Sequence, residues 1–272
     1  MSNIFQDEPV LAEVGAGIMT ITFNRPERGN PWNGAVVASY FALLEQAARS
    51  AQVRAIIVTG AGKSFCVGGD GEKLAAAASD GAFKSSKNPP YWLPLRIGKP
   101  IIAAINGACF GIGMQQALCC DLRFAAEDAK FATAYARRGV IAEFGMSWLL
   151  PRLVGTGHAM DLMLSARLVR APEALAMGLV NRVVPSEDLL AESTAYARQL
   201  VELCSPWSMQ AMKRQCYHDL MSDLFGSYQR SEAMLAEAMT RPDFKEGVQS
   251  WRENRAPAFP PLPDDLAFIE LE

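Results

Sequence analysis

Two glycine-rich turns carry the first chemistry legible in this sequence, Cys66-Val67-Gly68-Gly69-Asp70 and Gly111-Ile112-Gly113. A glycine lets the backbone approach a ligand with no Cβ in the way. Each turn follows a continuously apolar run, residues 54–60 in one case and 100–106 in the other. Ile112 stands at the start of an apolar segment that reads as a helix. The N–H groups of a first helical turn lack intrahelical partners and carry partial positive charge. Two such N–H groups converging on one carbonyl oxygen make an oxyanion hole, and removing one donor from it costs roughly 2.7–4 kcal/mol of barrier. The pair of turns points to an enzyme acting on an acyl carbonyl.

Other residues offer less. Gly60-Ala61-Gly62-Lys63-Ser64 invites a phosphate-loop reading, but that motif needs a glycine five positions before the Gly-Lys pair, and Ile57 stands there. His158 and His218 fall on helical segments far apart and suggest no Ser-His-Asp order. Cys66 and Cys109 lie near the turns without a histidine to activate them. Asp70 is placed to cap the turn that follows it.

The surrounding pattern supplies the frame. Residues 10–14 and 18–23 flank Gly15-Ala16-Gly17 as the arms of a hairpin. Residues 36–51 are helical, with Val37, Tyr40, Phe41, Leu44 and Ala48 on one face. The runs 54–60 and 100–106 read as buried parallel strands, each leading to a glycine turn; a helix over 114–120 and a strand over 122–126 follow the second. The stretch 71–98 is a connector, helix-prone at 74–78 and loop-like at 85–94, and beside a site it can serve as a substrate lid. Helices are expected over 147–153, 157–165 and 171–177, then a short strand within 178–185, then helices over 186–204, 208–218, 222–240 and 244–254. The proline-rich tail 256–263 is extended. The fold class is α/β.

Composition bounds the rest. The chain has 272 residues, half of them hydrophobic, and a net charge of −3. No basic stripe suggests a nucleic-acid partner, and no apolar run reaches membrane-spanning length. Six cysteines without metal-type spacing, and an acidic N-terminus unlike a signal peptide, fit reduced thiols in a cytoplasmic protein.

The segment Ala55-Ile56-Ile57-Val58-Thr59-Gly60-Ala61-Gly62-Lys63-Ser64-Phe65-Cys66-Val67-Gly68-Gly69-Asp70 resembles the first signature of the crotonase, or enoyl-CoA hydratase/isomerase, superfamily. Lys99-Pro100-Ile101-Ile102-Ala103-Ala104-Ile105-Asn106-Gly107 through Cys120-Asp121 resembles the second. Leu153-Val154-Gly155, residues 173–184 and residues 246–259 resemble later landmarks, in order. The resemblance implies a crotonase-like ββα-spiral core over residues 1–200 and a helical C-terminal trimerisation region over 201–272. It implies a homotrimer or a dimer of trimers, and an acyl-CoA substrate whose coenzyme A enters with the thioester rather than as a permanently bound cofactor. It places the oxyanion donors on the N–H groups of Gly69 and Ile112. It draws Cys66, Val67, Gly68, Asp70 and Gly111 alongside coenzyme A, with Arg28, Phe259 and, as a further basic candidate, Lys73.

The sequence also departs from the pattern. A hydratase of this family uses two glutamates; here Gln115 and Tyr135 occupy those positions, and neither serves readily as a general base near neutral pH. Glu143 falls where some isomerases of the superfamily carry a single catalytic carboxylate. Flanked by Ala142 and Phe144, it can be desolvated and its pKa raised; the plainer alternatives are a solvated loop glutamate or a partner for Arg137 or Arg138. Tyr135 can be a general acid or a substrate contact, and Gln115 can orient substrate. The expected activity is stabilisation of a thioester enolate, as in Δ3,Δ2-enoyl-CoA isomerisation by one carboxylate or a divergent hydration. The alternatives are an acyl-CoA-binding protein without catalysis, or a hydrolase or decarboxylase on the same scaffold.

Overall fold

The computed structural model describes residues 8–80 and 90–270. Val10–Gly15 (β1) and Ile18–Phe23 (β2) form an antiparallel hairpin closed by Ala16 and Gly17, both at positive φ. Gly34–Arg49 (α1) starts at Asn33, whose side chain accepts from the Val36 N–H at 3.0 Å. Its other end is closed by buried Lys99, whose Nζ donates to the carbonyls of Ala47 (2.6 Å) and Ser50 (2.7 Å).

Strand–strand–helix units then repeat. The first is Ala55–Gly60 (β3), Ser64–Cys66 (β4) and Gly71–Asp80 (α2). After the short Leu93–Arg96 (α3), the second is Ile101–Ile105 (β5), Ala108–Phe110 (β6) and Ile112–Leu118 (α4). The third, Leu122–Ala126 (β7) and Lys130–Ala132 (β8), ends in a 3-10 turn at Ala136–Arg138. Met146–Ser165 (α5) is broken by Gly155 (φ 77°, ψ 157°) into the two helices the sequence predicts. Val169–Arg170 (β9), Ala171–Ala176 (α6), Arg182–Val184 (β10) and Leu189–Leu203 (α7) follow. Pro206–Asp219 (α8), Leu224–Thr240 (α9) and Pro242–Glu253 (α10) close the helical C-terminal region.

The strands form two sheets, a six-stranded one in the order β1-β2-β3-β5-β7-β10 and a four-stranded one in the order β4-β6-β8-β9. Each unit runs along the large sheet, crosses to the small one and leaves it by a turn, so the chain spirals. The crossovers are packed tightly. A Cβ on Gly60 would collide with the Ser64 carbonyl, and one on Gly107 with the Lys63 carbonyl. Asn106 ties the two crossovers together, with Nδ2 donating to the carbonyls of Gly60 (2.8 Å) and Gly62 (2.9 Å).

Three readings are corrected here. The small sheet was not foreseen, because strands of two or three residues are shorter than one period of alternation. Of the residues read as parts of the turns, Cys66 ends β4 and Ala108–Phe110 make up the whole of β6. The helix expected from 114 begins at Ile112, which puts Ile112 at its first position.

α7 buries Leu189, Ser193, Ala197 and Val201, a one-faced spacing that lays it on the large sheet. Residue 200 therefore lies inside α7. Beyond it, Trp207, Ala211 and Leu262 form a separate small apolar cluster, while Leu224, Phe225 and Trp251 are 86%, 70% and 80% exposed.

Candidate active site

The first turn is held against Trp32. The Trp32 N–H donates to the Gly68 carbonyl (2.8 Å), and the Asp70 N–H donates to the Trp32 carbonyl (3.0 Å). Successive peptide groups of an extended segment point to opposite sides, so the Gly69 N–H faces away from Trp32. It donates to no backbone acceptor among the described residues. The second turn reaches the same state by another route. Gly111 (φ 52°, ψ −120°) is the N-cap of α4 and has no side chain to cap it; the first helical bond runs from Gln115 N–H to Gly111 carbonyl at 3.0 Å. The Ile112 N–H thus has no intrahelical partner.

Packing brings the turns side by side. Gly68 has φ 98°, and a Cβ built there would lie 3.2 Å from the Phe110 carbonyl oxygen. A Cβ on Gly113 would lie 2.5 Å from the Cys66 carbonyl oxygen and 2.8 Å from its Sγ. The start of α4 therefore rests directly on the strand that leads into the first turn.

Several residues around the turns brace them. Buried Asp70 accepts from Arg25 Nη1 (3.1 Å) and from the Glu72 N–H (3.2 Å), with Arg28 at 3.6 Å. Its hydrogen bond from Arg25 holds the carboxyl below the usual range. Both Asp70 oxygens are engaged within the chain, as a cap and a brace. Arg28, partly exposed, also reaches Glu72 at 2.9 Å and stays beside the first turn. The Val67 N–H donates to the Gly29 carbonyl (3.1 Å). Burial pushes the Cys66 thiol up to about 12, so it is no thiolate nucleophile. Asn30, missed in the sequence, is buried at positive φ and donates to the carbonyls of Ala61 (2.9 Å) and Ser64 (2.7 Å), strapping the preceding loop to the first crossover.

Phe259 is not brought to the turns within this chain. Its carbonyl accepts from Arg54 Nη2 (2.7 Å), just before the start of β3, whereas the turns follow the other end of that strand. His158 and His218 lie on α5 and α8, and the side chain of Lys73 is outside the described residues, as is the part of the expected loop before residue 90.

Glu143 lies in the segment just before α5. Its side chain is partly buried and makes no hydrogen bond or ion pair among the described residues. Burial raises its carboxyl pKa above the ordinary glutamate value, and the nearby Arg138 charge pulls it partly back. Neither expected arginine pairs with it. Arg137 donates to the Ser165 carbonyl (3.2 Å), and Arg138 stands near the first turn, its Nη1 3.8 Å from a Cβ built on Gly68. Tyr135 is buried and its hydroxyl has no hydrogen-bond partner among the described residues. Burial first, and then the Glu143 charge, raise the pKa of that hydroxyl, which excludes a resting tyrosinate. Burial likewise raises the pKa of the Tyr91 hydroxyl, which Trp32 pulls partly back and to which the Glu143 charge adds a smaller rise.

Gln115 has a definite task in this geometry. Fully buried, its Nε2 donates to the Phe144 carbonyl at 2.8 Å. Gln116 Nε2 donates to Gln115 Oε1 (2.6 Å) and to the Tyr91 carbonyl (2.8 Å). The Tyr91 ring stacks on Phe144 with centroids 3.9 Å apart. These four residues form a closed ring of contacts that fixes the backbone next to Glu143, where Phe144 has φ 49°. Tyr91 and Gln116 were missed, since nothing local in the sequence marks contacts that span 25 positions (Tyr91 to Gln116) and 53 positions (Tyr91 to Phe144).

Among the described residues no group of three or more His, Cys, Asp or Glu could hold a metal, and no helix is long and apolar enough to cross a membrane. The sequence model for enoyl-CoA hydratase/isomerase matches residues 13–261. The chain is 33% identical over 265 residues to 1,2-epoxyphenylacetyl-CoA isomerase of Escherichia coli (strain K12), covering 93% of this chain and 98% of that one. It is 34% identical over 253 residues to a "Probable enoyl-CoA hydratase" of Rhodobacter capsulatus, covering 91% and 96%. The crystal structure of enoyl-CoA hydratase from Bacillus anthracis superposes with a TM-score of 0.82 at 27% identity, covering 93% and 99%. The spiral core and the two signatures thus meet their counterparts along nearly the whole chain, which belongs to the enoyl-CoA hydratase/isomerase family of the crotonase superfamily and is an acyl-CoA enzyme.

Proposed function

We propose that the N–H groups of Gly69 and Ile112 receive the thioester oxygen, and that Glu143 moves a proton between the α- and γ-carbons of an enoyl-CoA, as in Δ3,Δ2-enoyl-CoA isomerisation. The observation that carries this reading is the state of Glu143, a partly buried carboxylate with no hydrogen-bond or ion-pair partner among the described residues and a raised pKa. Such a group is suited to general base catalysis. Removing the α-proton of a Δ3-enoyl thioester gives an enolate, whose oxygen carries the charge that the two N–H groups stabilise. The same carboxyl returns the proton at the γ-carbon, so no water has to be activated. That economy matches Gln115 and Tyr135, whose side chains offer no second base. Arg28, Cys66, Val67, Gly68 and Gly111 are the candidates to lie along coenzyme A.

The exposed apolar side chains of α9 and α10 support self-association through the helical C-terminal region, and the assembly proposed is a homotrimer or a dimer of trimers. Light scattering should then give a mass three or six times the 29.6 kDa of one chain. Six free cysteines fit a cytoplasmic setting.

The deciding experiment is incubation with 2-enoyl and 3-enoyl thioesters in deuterated water, read by mass spectrometry. Double-bond migration with deuterium at the α- or γ-carbon is the expected result. Addition of water with no migration would assign hydration instead.

A further inference from the structure

A cavity of about 300 Å³ is lined in part by Phe144, the residue that follows Glu143. Its lining includes Trp92, Leu95, Phe144, Trp148, Leu149 and Tyr217, and among the described residues no charged side chain takes part. We infer that this cavity receives the acyl group of the substrate beyond its reacting carbons, and that it is built for an aryl ring. The inference rests on the thioester reading above and adds the substrate class.

Position supports the assignment. Both walls are fastened to α4, the helix whose first N–H is offered to the carbonyl. Gln115 holds Phe144 by its carbonyl, and Gln116 holds the Tyr91 carbonyl next to Trp92. Gln115 lies three residues beyond Ile112, ~4.5 Å along the helix axis. An acyl group anchored at the carbonyl and running along α4 towards Phe144 is therefore directed at this cavity.

The lining supports the ring. Four of the named side chains are aromatic, and aromatic pairs in stacked or edge-to-face geometry gain energy beyond the area they bury. Three are held in place before any ligand arrives. Phe144 is stacked on Tyr91. Trp148 lies under the Arg152 guanidinium at 4.1 Å, and the same guanidinium donates to the Trp148 carbonyl at 3.0 Å. The Tyr217 hydroxyl donates to Asp121 (3.2 Å), whose other oxygen accepts from Lys213 (2.9 Å) and from the Ile101 N–H (2.8 Å). Tyr217 therefore presents its ring while its polar end is engaged elsewhere. The volume is sufficient, since a dry apolar cavity of about 150 Å³ takes benzene.

The test uses the full-length chain and calorimetric titration with saturated thioesters, which have no double bond to migrate. The ligands are 3-phenylpropanoyl-CoA, 3-cyclohexylpropanoyl-CoA and nonanoyl-CoA, matched in acyl carbon count. The phenyl ligand should bind about fivefold tighter than either of the others, the size of one favourable aromatic contact. Trp148→Leu should bring the phenyl-to-cyclohexyl ratio towards one. Trp92→Leu, at a more exposed position, should do the same with less risk to folding. Equal or weaker binding of the phenyl ligand would overturn the inference, as would a ratio unchanged in both variants. If none of the three thioesters titrates, the thioester reading itself fails and the aryl pocket with it. If all three bind equally, only the aryl pocket fails.

Discussion

Gln115 Nε2 donates to the carbonyl of Phe144 at 2.8 Å, so the helix that begins with Ile112 also holds the backbone beside Glu143. The proposed oxyanion donor and the proposed base are thereby fixed to one element. This makes Gln115 a positioning residue. Gln115→Met should leave the Phe144 carbonyl without its donor and destabilise the fold by about 1–3 kcal/mol, the cost of an unsatisfied buried polar group. Urea denaturation would measure it. In the same variant kcat should fall more than binding of a saturated thioester, because the loop loosens while the turns stay in place. Unchanged kcat with a lowered denaturation midpoint would leave Gln115 a purely structural role.

Glu143→Gln tests the base directly. The amide keeps the size and removes the proton acceptor. Deuterium exchange and double-bond migration should fall by about 10²–10⁴-fold, the usual weight of a positioned acid–base group, while saturated thioesters keep binding by calorimetry. Full exchange in the variant would move the base elsewhere.

The pH dependence has a definite sign. Glu143 has a raised pKa in the folded chain because burial disfavours its charge. Its unfolded pKa is the ordinary glutamate value. Between those two values the folded state binds more protons than the unfolded one, so stability falls as pH rises through that window. Glu143→Gln should therefore melt at a higher temperature than the parent chain at pH 7, and the gap should close on acidification below both pKa values. Activity runs the other way, since only the carboxylate accepts a proton. The log of kcat/KM should drop as pH falls through the raised pKa. Calorimetric melts and rate profiles would check the two signs separately.

The parts of this molecule that were legible in the sequence are those written in local pattern. The apolar runs at β3 and β5 and the glycines after them announced both the core and the paired turns. Asn33 and Asn30 show the limit. Asn33 caps the residue three positions on, which local sequence can indicate. Asn30 acts on Ala61 and Ser64, more than thirty positions away, and no local signal marks that. The small sheet was invisible because Ser64–Cys66 and Ala108–Phe110 are too short to show alternation. Glu143 was located by resemblance; that neither expected arginine pairs with it follows from Arg137 bonding to Ser165 and Arg138 standing near Gly68, and only tertiary structure could show that.

Gly113 gives the sharpest steric prediction. It lies next to Ile112, and a Cβ there would sit 2.5 Å from the Cys66 carbonyl oxygen, 2.7 Å from its Cβ and 2.8 Å from its Sγ. Backbone cannot step aside as a flexible side chain can, so Gly113→Ala should push the start of α4 off the strand. Overpacking of this kind costs about 1–3 kcal/mol, and a displacement near 1 Å at a reacting centre costs on the order of 10²-fold in rate. The contact with Sγ could be relieved by Cys66→Gly, but the contact with the Cys66 carbonyl oxygen would remain. The double variant should therefore stay near the activity of Gly113→Ala. Recovery of most of the parent rate in the double variant would show that the thiol alone, and not the strand backbone, holds α4 in register with the first turn.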